Sequence, residues 1–178
     1  LATEIGKTIF RFGLEKAIQQ KILCEFDYVP LNYSLTAGDR TRISDVYKKA
    51  AAKKKSGTPM TQEQIWIDIS KVYKTAEMKP SVFENYLNKN SIIVKSSIIF
   101  VETMEYGDLI LPMLHEHTTK YRTYYSGEDQ QNLVRFSKGE IDCLVTCHRL
   151  SQGIDIPHLE NVILFSSARS KLETIQRI

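Results

Sequence analysis

Thr146-Cys-His-Arg-Leu-Ser-Gln-Gly-Ile-Asp-Ile-Pro157 is the stretch whose surroundings settle the fold. It follows an apolar run, Ile141-Asp-Cys-Leu-Val145, and precedes another, Asn161-Val-Ile-Leu-Phe165. Both runs have the length and composition of strands, so the stretch between them reads as a polar loop. Upstream, Ser97-Ile-Ile-Phe-Val101 is continuously apolar, as expected of a strand covered on both faces. Glu105 to Glu116 predicts a helix kinked at Pro112. Tyr121 to Tyr125 predicts a strand, and Asp129 to Lys138 a helix through Leu133 and Phe136. Arg169 to Ile178 predicts a last helix. Strands alternating with helices place the chain in the α/β class, with a parallel sheet.

The first half is less regular. Ile9 to Phe12 reads as a short strand, and Leu14 to Leu23 as a helix through Leu14, Ala17, Ile18 and Ile22. Cys24-Glu-Phe-Asp-Tyr28 alternates like a strand and continues at Leu31, Tyr33 and Leu35, with Pro30 favouring an edge or a bulge. Ala37 to Pro59 is rich in alanine and lysine and reads as a helix followed by a mobile loop. Thr61 with Gln64 forms a capping box ahead of one helical face, Ile65, Ile69, Tyr73 and Ala76. Ser81 with Glu84 reads as a second box opening a short helix. No internal repeat is visible.

The 178 residues suffice for one large domain or a domain with a helical appendage. At 42% hydrophobic and 25% charged, the composition is that of an ordinary globular chain, which needs no disulfide or metal staple. A net charge of +3 does not by itself imply a nucleic-acid partner. Three cysteines without framework spacing suit a reducing compartment, hence the cytoplasm. No apolar run reaches the ~20 residues needed to span a bilayer. The start lacks both a signal-peptide pattern and an initiator methionine, so the chain reads as a fragment.

Ligands of parallel α/β sheets collect at the carboxyl ends of strands. Thr146 stands at such an end, where a hydroxyl and backbone N–H groups can hold a phosphate. Gly153 permits close backbone approach, and Asp155 offers a carboxylate to a ribose hydroxyl or an arginine. Taken alone, Gly-x-Asp-x-Pro is an ordinary turn.

In context, five segments in order resemble the second motor domain of superfamily 2 helicases and translocases. Ser97-Ile-Ile-Phe-Val-Glu-Thr103 looks like helicase motif IV, and Tyr124-Tyr-Ser-Gly-Glu-Asp129 resembles the strand-end segment that carries a small residue and glycine. Leu133, Phe136 and Gly139 match the helix after it, Thr146 to Pro157 is similar to motif V, and Gln176-Arg177-Ile178 looks like the opening of motif VI. The resemblance covers residues 97–178. It implies a three-layer RecA-like helicase C-terminal domain with helices on both faces of the sheet, and a helical insertion near residues 37–90. Residues 12–28 are similar to the link between the motor domains of bacterial restriction-type helicases. On that basis residues 1–23 form an inter-domain strand and helix, and 24–178 the domain.

The resemblance also implies the site. Thr146, with Thr103, Ser126 and Gly127, inherits contacts to the nucleic-acid backbone. Gly153 and Asp155 face the nucleotide. Gln176 and Arg177 belong to the catalytic motif, Gln176 facing the phosphates. The family's arginine fingers come from later arginines, which this chain does not contain. The intact enzyme would use ATP and Mg²⁺, with none expected on this fragment, which is expected to be inactive alone. Its partners would be nucleic acid, DNA rather than RNA, and the N-terminal RecA-like domain of the same protein. A restriction or phage-defence setting follows from the same likeness. The competing reading is a non-catalytic RecA-like module that binds nucleic acid or a partner protein.

Several decoys are set aside. Leu1 to Thr8 has the spacing of a Walker A loop, but Leu1 and Glu4 stand where glycines should cradle phosphate. Cys143, Cys147 and His148 lack the ligand spacing of a zinc site, and His115 and His117 point different ways on a helix. No metal site is expected. The lysines from Lys48 to Lys55 could track a phosphate backbone but read first as a solvated helix end, and Trp66 with Tyr73 could stack bases but reads first as part of a core stripe.

Overall fold

The computed structural model describes residues 13–21, 24–147 and 156–166. The chain divides into two compact units, Leu1–Leu31 and Asn32–Ile178. In the first unit, α1 (Leu14–Gln19) ends where Lys21 takes a left-handed φ of 55°. The expected strand at Ile9–Phe12 lies outside the described residues. Residues 24–36 form no strand, contrary to the alternation of Cys24–Tyr28 and of Leu31, Tyr33 and Leu35. From 24 to 32 every residue is exposed, and among the described residues no strand pairs with this segment.

The second unit opens with three helices. α2 (Ala37–Lys55) starts at a capping box, Thr36 with Asp39, that the sequence reading missed because aspartate replaces the usual glutamate or glutamine. α3 (Gln62–Lys74) starts at the expected box of Thr61 and Gln64. α4 (Lys79–Leu87) begins two residues before the predicted Ser81 cap. Pro80 in its first turn sets that start, since proline fixes φ and its missing N–H is no loss there. The Ser81 hydroxyl instead donates to the Met78 carbonyl at 3.0 Å.

A short 3₁₀ turn (Ser91–Val94) leads to β1 (Ser97–Phe100). Then follow α5 (Met104–Asp108), α6 (Leu111–His115), β2 (Tyr121–Tyr124), α7 (Gln131–Ser137), β3 (Cys143–Thr146) and β4 (Asn161–Leu164). The single kinked helix expected over 105–116 is two helices, with Pro112 in the first turn of the second rather than at a kink. The last helix, expected at Arg169–Ile178, lies outside the described residues.

The strands are parallel in the order β2-β3-β1-β4, with Phe100, Thr146, Tyr124 and Leu164 level at the carboxyl edge. Both faces are covered, so β1 and β3 are buried along their whole length. One face packs Ile99, Val101, Cys143, Val145 and Phe165 against Phe83 and Leu87 of α4, Tyr106 of α5, and Ile110 and Leu114. The other packs Ile98, Phe100, Tyr124 and Leu144 against Phe136 of α7, with Ile156 and Leu159 beside it. This is the expected three-layer α/β architecture, and alternate side chains along each strand serve opposite cores.

Candidate functional site

The order of the strands creates the site. From β1 the chain passes to α5 and α6 on one face and returns as β2, beyond β3. After β3, residues 156–159 pack on the opposite face before β4 forms on the far side of β1. The adjacent strands β1 and β3 therefore send their connections to opposite faces. The point between their carboxyl ends is the position where ligands of open α/β sheets bind.

Four of the residues picked from the sequence stand at this edge. Thr103 is exposed and caps α5, its hydroxyl accepting from the Tyr106 N–H at 3.2 Å. Ser126 and Gly127 form the exposed tip of the loop after β2. That loop is a tight turn, closed by the Glu128 N–H donating to the Tyr125 carbonyl at 3.2 Å, and Gly127 takes a φ of +92° that suits glycine. Glu128 straps the turn down: its carboxylate accepts from the Tyr125 N–H and from the Thr123 hydroxyl, both at 2.8 Å. A Cβ on Gly127 would meet nothing within 4 Å, so the tip has open space for an incoming group.

Thr146 is also at the edge, but its side chain is fully buried. Its hydroxyl donates to the Tyr124 carbonyl at 2.8 Å, and its own carbonyl accepts from the Val101 N–H at 2.9 Å. Thr146 thus ties β1, β2 and β3 together just where the loop departs. Gly153, Asp155, Gln176 and Arg177 lie outside the described residues.

The edge is acidic between these polar tips. Burial, then Glu105, Glu102 and Glu128, push the half-buried Cys147 thiol upward. The Glu105 carboxyl is held below its usual range by a backbone N–H at the start of α5 and then by the Thr103 hydroxyl. Burial and these carboxylates thus favour the neutral form of the Cys147 thiol.

A second group at the same edge was not picked from the sequence. Lys74, the last residue of α3, places its Nζ 3.1 Å from Glu102 at the end of β1, and both are buried. Lys79 donates to the Phe165 carbonyl at 2.7 Å and lies over the Tyr33 ring. Burial, partly opposed by Glu102, lowers the Lys79 pKa to about 8. The usable signal was Glu102 itself, a charge directly after an apolar run, which calls for a partner.

Trp66 and Tyr73 are not part of a core stripe. They are 61% and 45% exposed, while Ile69, Val72 and Ala76 supply the buried face. The predicted face of Ile65, Ile69, Tyr73 and Ala76 was rotated by part of a turn.

With this geometry in place, four likenesses are informative. The family model for the helicase conserved C-terminal domain matches residues 78–178. The chain is 20% identical, over its whole length, to a Saccharomyces cerevisiae protein named "Putative ATP-dependent helicase IRC3". It is 30% identical over 80 residues, 43% of its length, to the pre-mRNA-processing ATP-dependent RNA helicase PRP5 of Candida glabrata. It spans only 24% and 10% of those two relatives. In fold it resembles the Sulfolobus solfataricus SWI2/SNF2 ATPase C-terminal domain, at a TM-score of 0.52 and 10% identity, covering 74% of this chain and 68% of that one.

Proposed function

The chain belongs to the helicase conserved C-terminal domain family, as the second RecA-like domain of a superfamily 2 helicase, and from that premise we propose how it works in the intact protein. It closes one wall of an ATP cleft and grips one strand of nucleic acid. A first RecA-like domain supplies the phosphate loop, the acidic box and the opposite wall. Gly153 and Asp155 line the nucleotide side, Gln176 faces the phosphates, and Arg177 supports the same motif. ATP with Mg²⁺ supplies the driving reaction when bound.

The observation that carries this reading is that the connections after the adjacent strands β1 and β3 pack on opposite faces of the sheet. Thr103, Ser126 and Gly127 follow the strand ends that stand level with Thr146. Neutral hydroxyls and backbone N–H groups suit a phosphate backbone, because they bind any sequence alike. The Glu128 and Glu105 carboxylates are already engaged by backbone N–H groups. In this reading Thr146 acts by holding the strand ends in register.

We favour DNA as the track, in a restriction or phage-defence setting in the cytoplasm, from the likeness of residues 12–28 to the link of restriction-type motors. Among the described residues no helix is long and apolar enough to cross a membrane. The test uses the intact protein, with DNA and RNA arms. Asp155→Ala and Gln176→Ala should each lower nucleic-acid-stimulated ATPase by tenfold or more while leaving the circular-dichroism spectrum unchanged. Full activity in both variants would remove the assigned roles. Appreciable ATP turnover by this chain alone would overturn the division of the site between two domains.

A further inference from the structure

α2 and α3 form an antiparallel hairpin. Arg42 reaches the Thr75 carbonyl and hydroxyl at 3.2 and 2.6 Å, and Lys49 pairs with Asp68 at 3.1 Å. Seven residues forward on α2 therefore match seven backward on α3. The hairpin is rooted at the carboxyl edge of the sheet by the Lys74–Glu102 pair.

Its charge differs from that of the remaining chain. Residues 37–76 hold nine lysines and arginines against four aspartates and glutamates. The whole chain holds 24 against 21, so the remainder is net acidic. At the tip, Lys53, Lys54 and Lys55 are exposed and make no ion pair among the described residues.

Aromatic rings accompany that charge. Trp66 and Tyr73 are seven residues apart and share a stripe of α3, about 10 Å from end to end. On α2, Tyr47 (55% exposed) and Lys54 are also seven apart and share a stripe. On each helix the stripe lies more than a third of a turn from the line of interhelical contact, in the same rotational sense. In an antiparallel pair this puts both stripes on one side of the hairpin. Continuing the register sets Tyr47 between Trp66 and Tyr73. Large exposed rings leading to unpaired lysines at the tip fit an unstacked, single-stranded nucleic acid, whose bases stack on rings while its phosphates meet cations. A protein surface without acidic side chains would match the rings but leave the lysines without counter-charge.

We propose that the outer face of the α2–α3 hairpin, with Trp66, Tyr73, Tyr47 and Lys53–Lys55, is a second binding surface for single-stranded nucleic acid. It is separate from the point between the carboxyl ends of β1 and β3 and extends the grip beyond the motor edge. The proposal rests on the reading of the chain as a nucleic-acid motor domain.

Trp66 is the sole tryptophan, so its fluorescence reports on this face alone. The 178-residue chain is titrated with a short oligothymidylate, with oligouridylate, and with polyphosphate, while anisotropy of a labelled strand follows total binding. Stacking is expected to quench Trp66 with either oligonucleotide and not with polyphosphate. Tyr73→Ala should weaken the quenching titration about tenfold, and Lys53→Ala/Lys54→Ala/Lys55→Ala should flatten its salt dependence. Equal quenching by polyphosphate overturns the stacking surface, as does strand binding that leaves Trp66 emission unchanged. That second result would leave the reading of the sheet edge intact, whose own failure is read from ATPase in the Asp155 and Gln176 variants. Absence of any strand binding overturns the proposal, as does quenching that only a protein partner produces.

Discussion

Lys74 and Glu102 meet at 3.1 Å with both side chains nearly excluded from solvent, joining the end of α3 to the end of β1. Removing one partner of such a pair strands the other charge in the interior, at a cost of about 3–5 kcal/mol. Lys74→Met should therefore destabilise the chain strongly in urea unfolding. Lys74→Met/Glu102→Leu should recover much of the loss, because an apolar pair needs no compensating charge. A double variant no more stable than the single one would show that the pair is not isolated from other charges.

Gly107 faces the Tyr125 hydroxyl so closely that a Cβ could not be accommodated. Tyr125 is buried, leaving its ring little room to retreat. Gly107→Ala should cost about 1–3 kcal/mol by overpacking, exceeding the ~1 kcal/mol that alanine adds to helix propensity. Adding Tyr125→Phe should restore part of the stability by removing the obstructing oxygen. Thermal melts of the two variants decide this.

Thr146→Val keeps the shape of the side chain and removes its hydroxyl. The Tyr124 carbonyl would lose the Thr146 hydroxyl inside the sheet, at a cost of about 1 kcal/mol. Thr146→Ser should retain most of the stability. If the hydroxyl acted solely on nucleic acid, the valine variant would unfold at the wild-type urea midpoint.

Lys79 supplies a pH signature. Its folded pKa, about 8, lies below the ordinary lysine value of 10.5. Between these values the unfolded chain holds a proton that the folded chain has released, so the Lys79 contribution to stability rises with pH. Wild type should gain melting temperature relative to Lys79→Met as pH climbs from 8 towards 10.5. A constant difference across that window would contradict the burial assigned to this amine.

The sheet was legible because its strands are short apolar runs, and Ser97–Phe100 and Cys143–Thr146 stand within two residues of the expected limits. Their carboxyl ends carried the family resemblance, so Thr103, Ser126 and Gly127 could be set at one edge before the fold was seen. The helical region misled for a local reason. Tyr73 and Val72 are neighbours, and choosing the larger one turned the apolar face of α3 outward by part of a turn. Alternation at Cys24–Tyr28 misled because a strand exists only where a neighbour supplies hydrogen bonds, and among the described residues no strand pairs with 24–32. The Lys74–Glu102 pair joins residues 28 positions apart, a relation that no local pattern contains.

The 19 residues of α2 extend about 28 Å from a root clamped at the end of β1. A stiff arm of that length works as a lever. A turn of about 10° at the sheet sweeps its tip through roughly 5 Å, somewhat more than the 3.4 Å rise of one nucleotide along a strand. A small tilt of the sheet would thereby move Lys53–Lys55 by a distance on the scale of a single base.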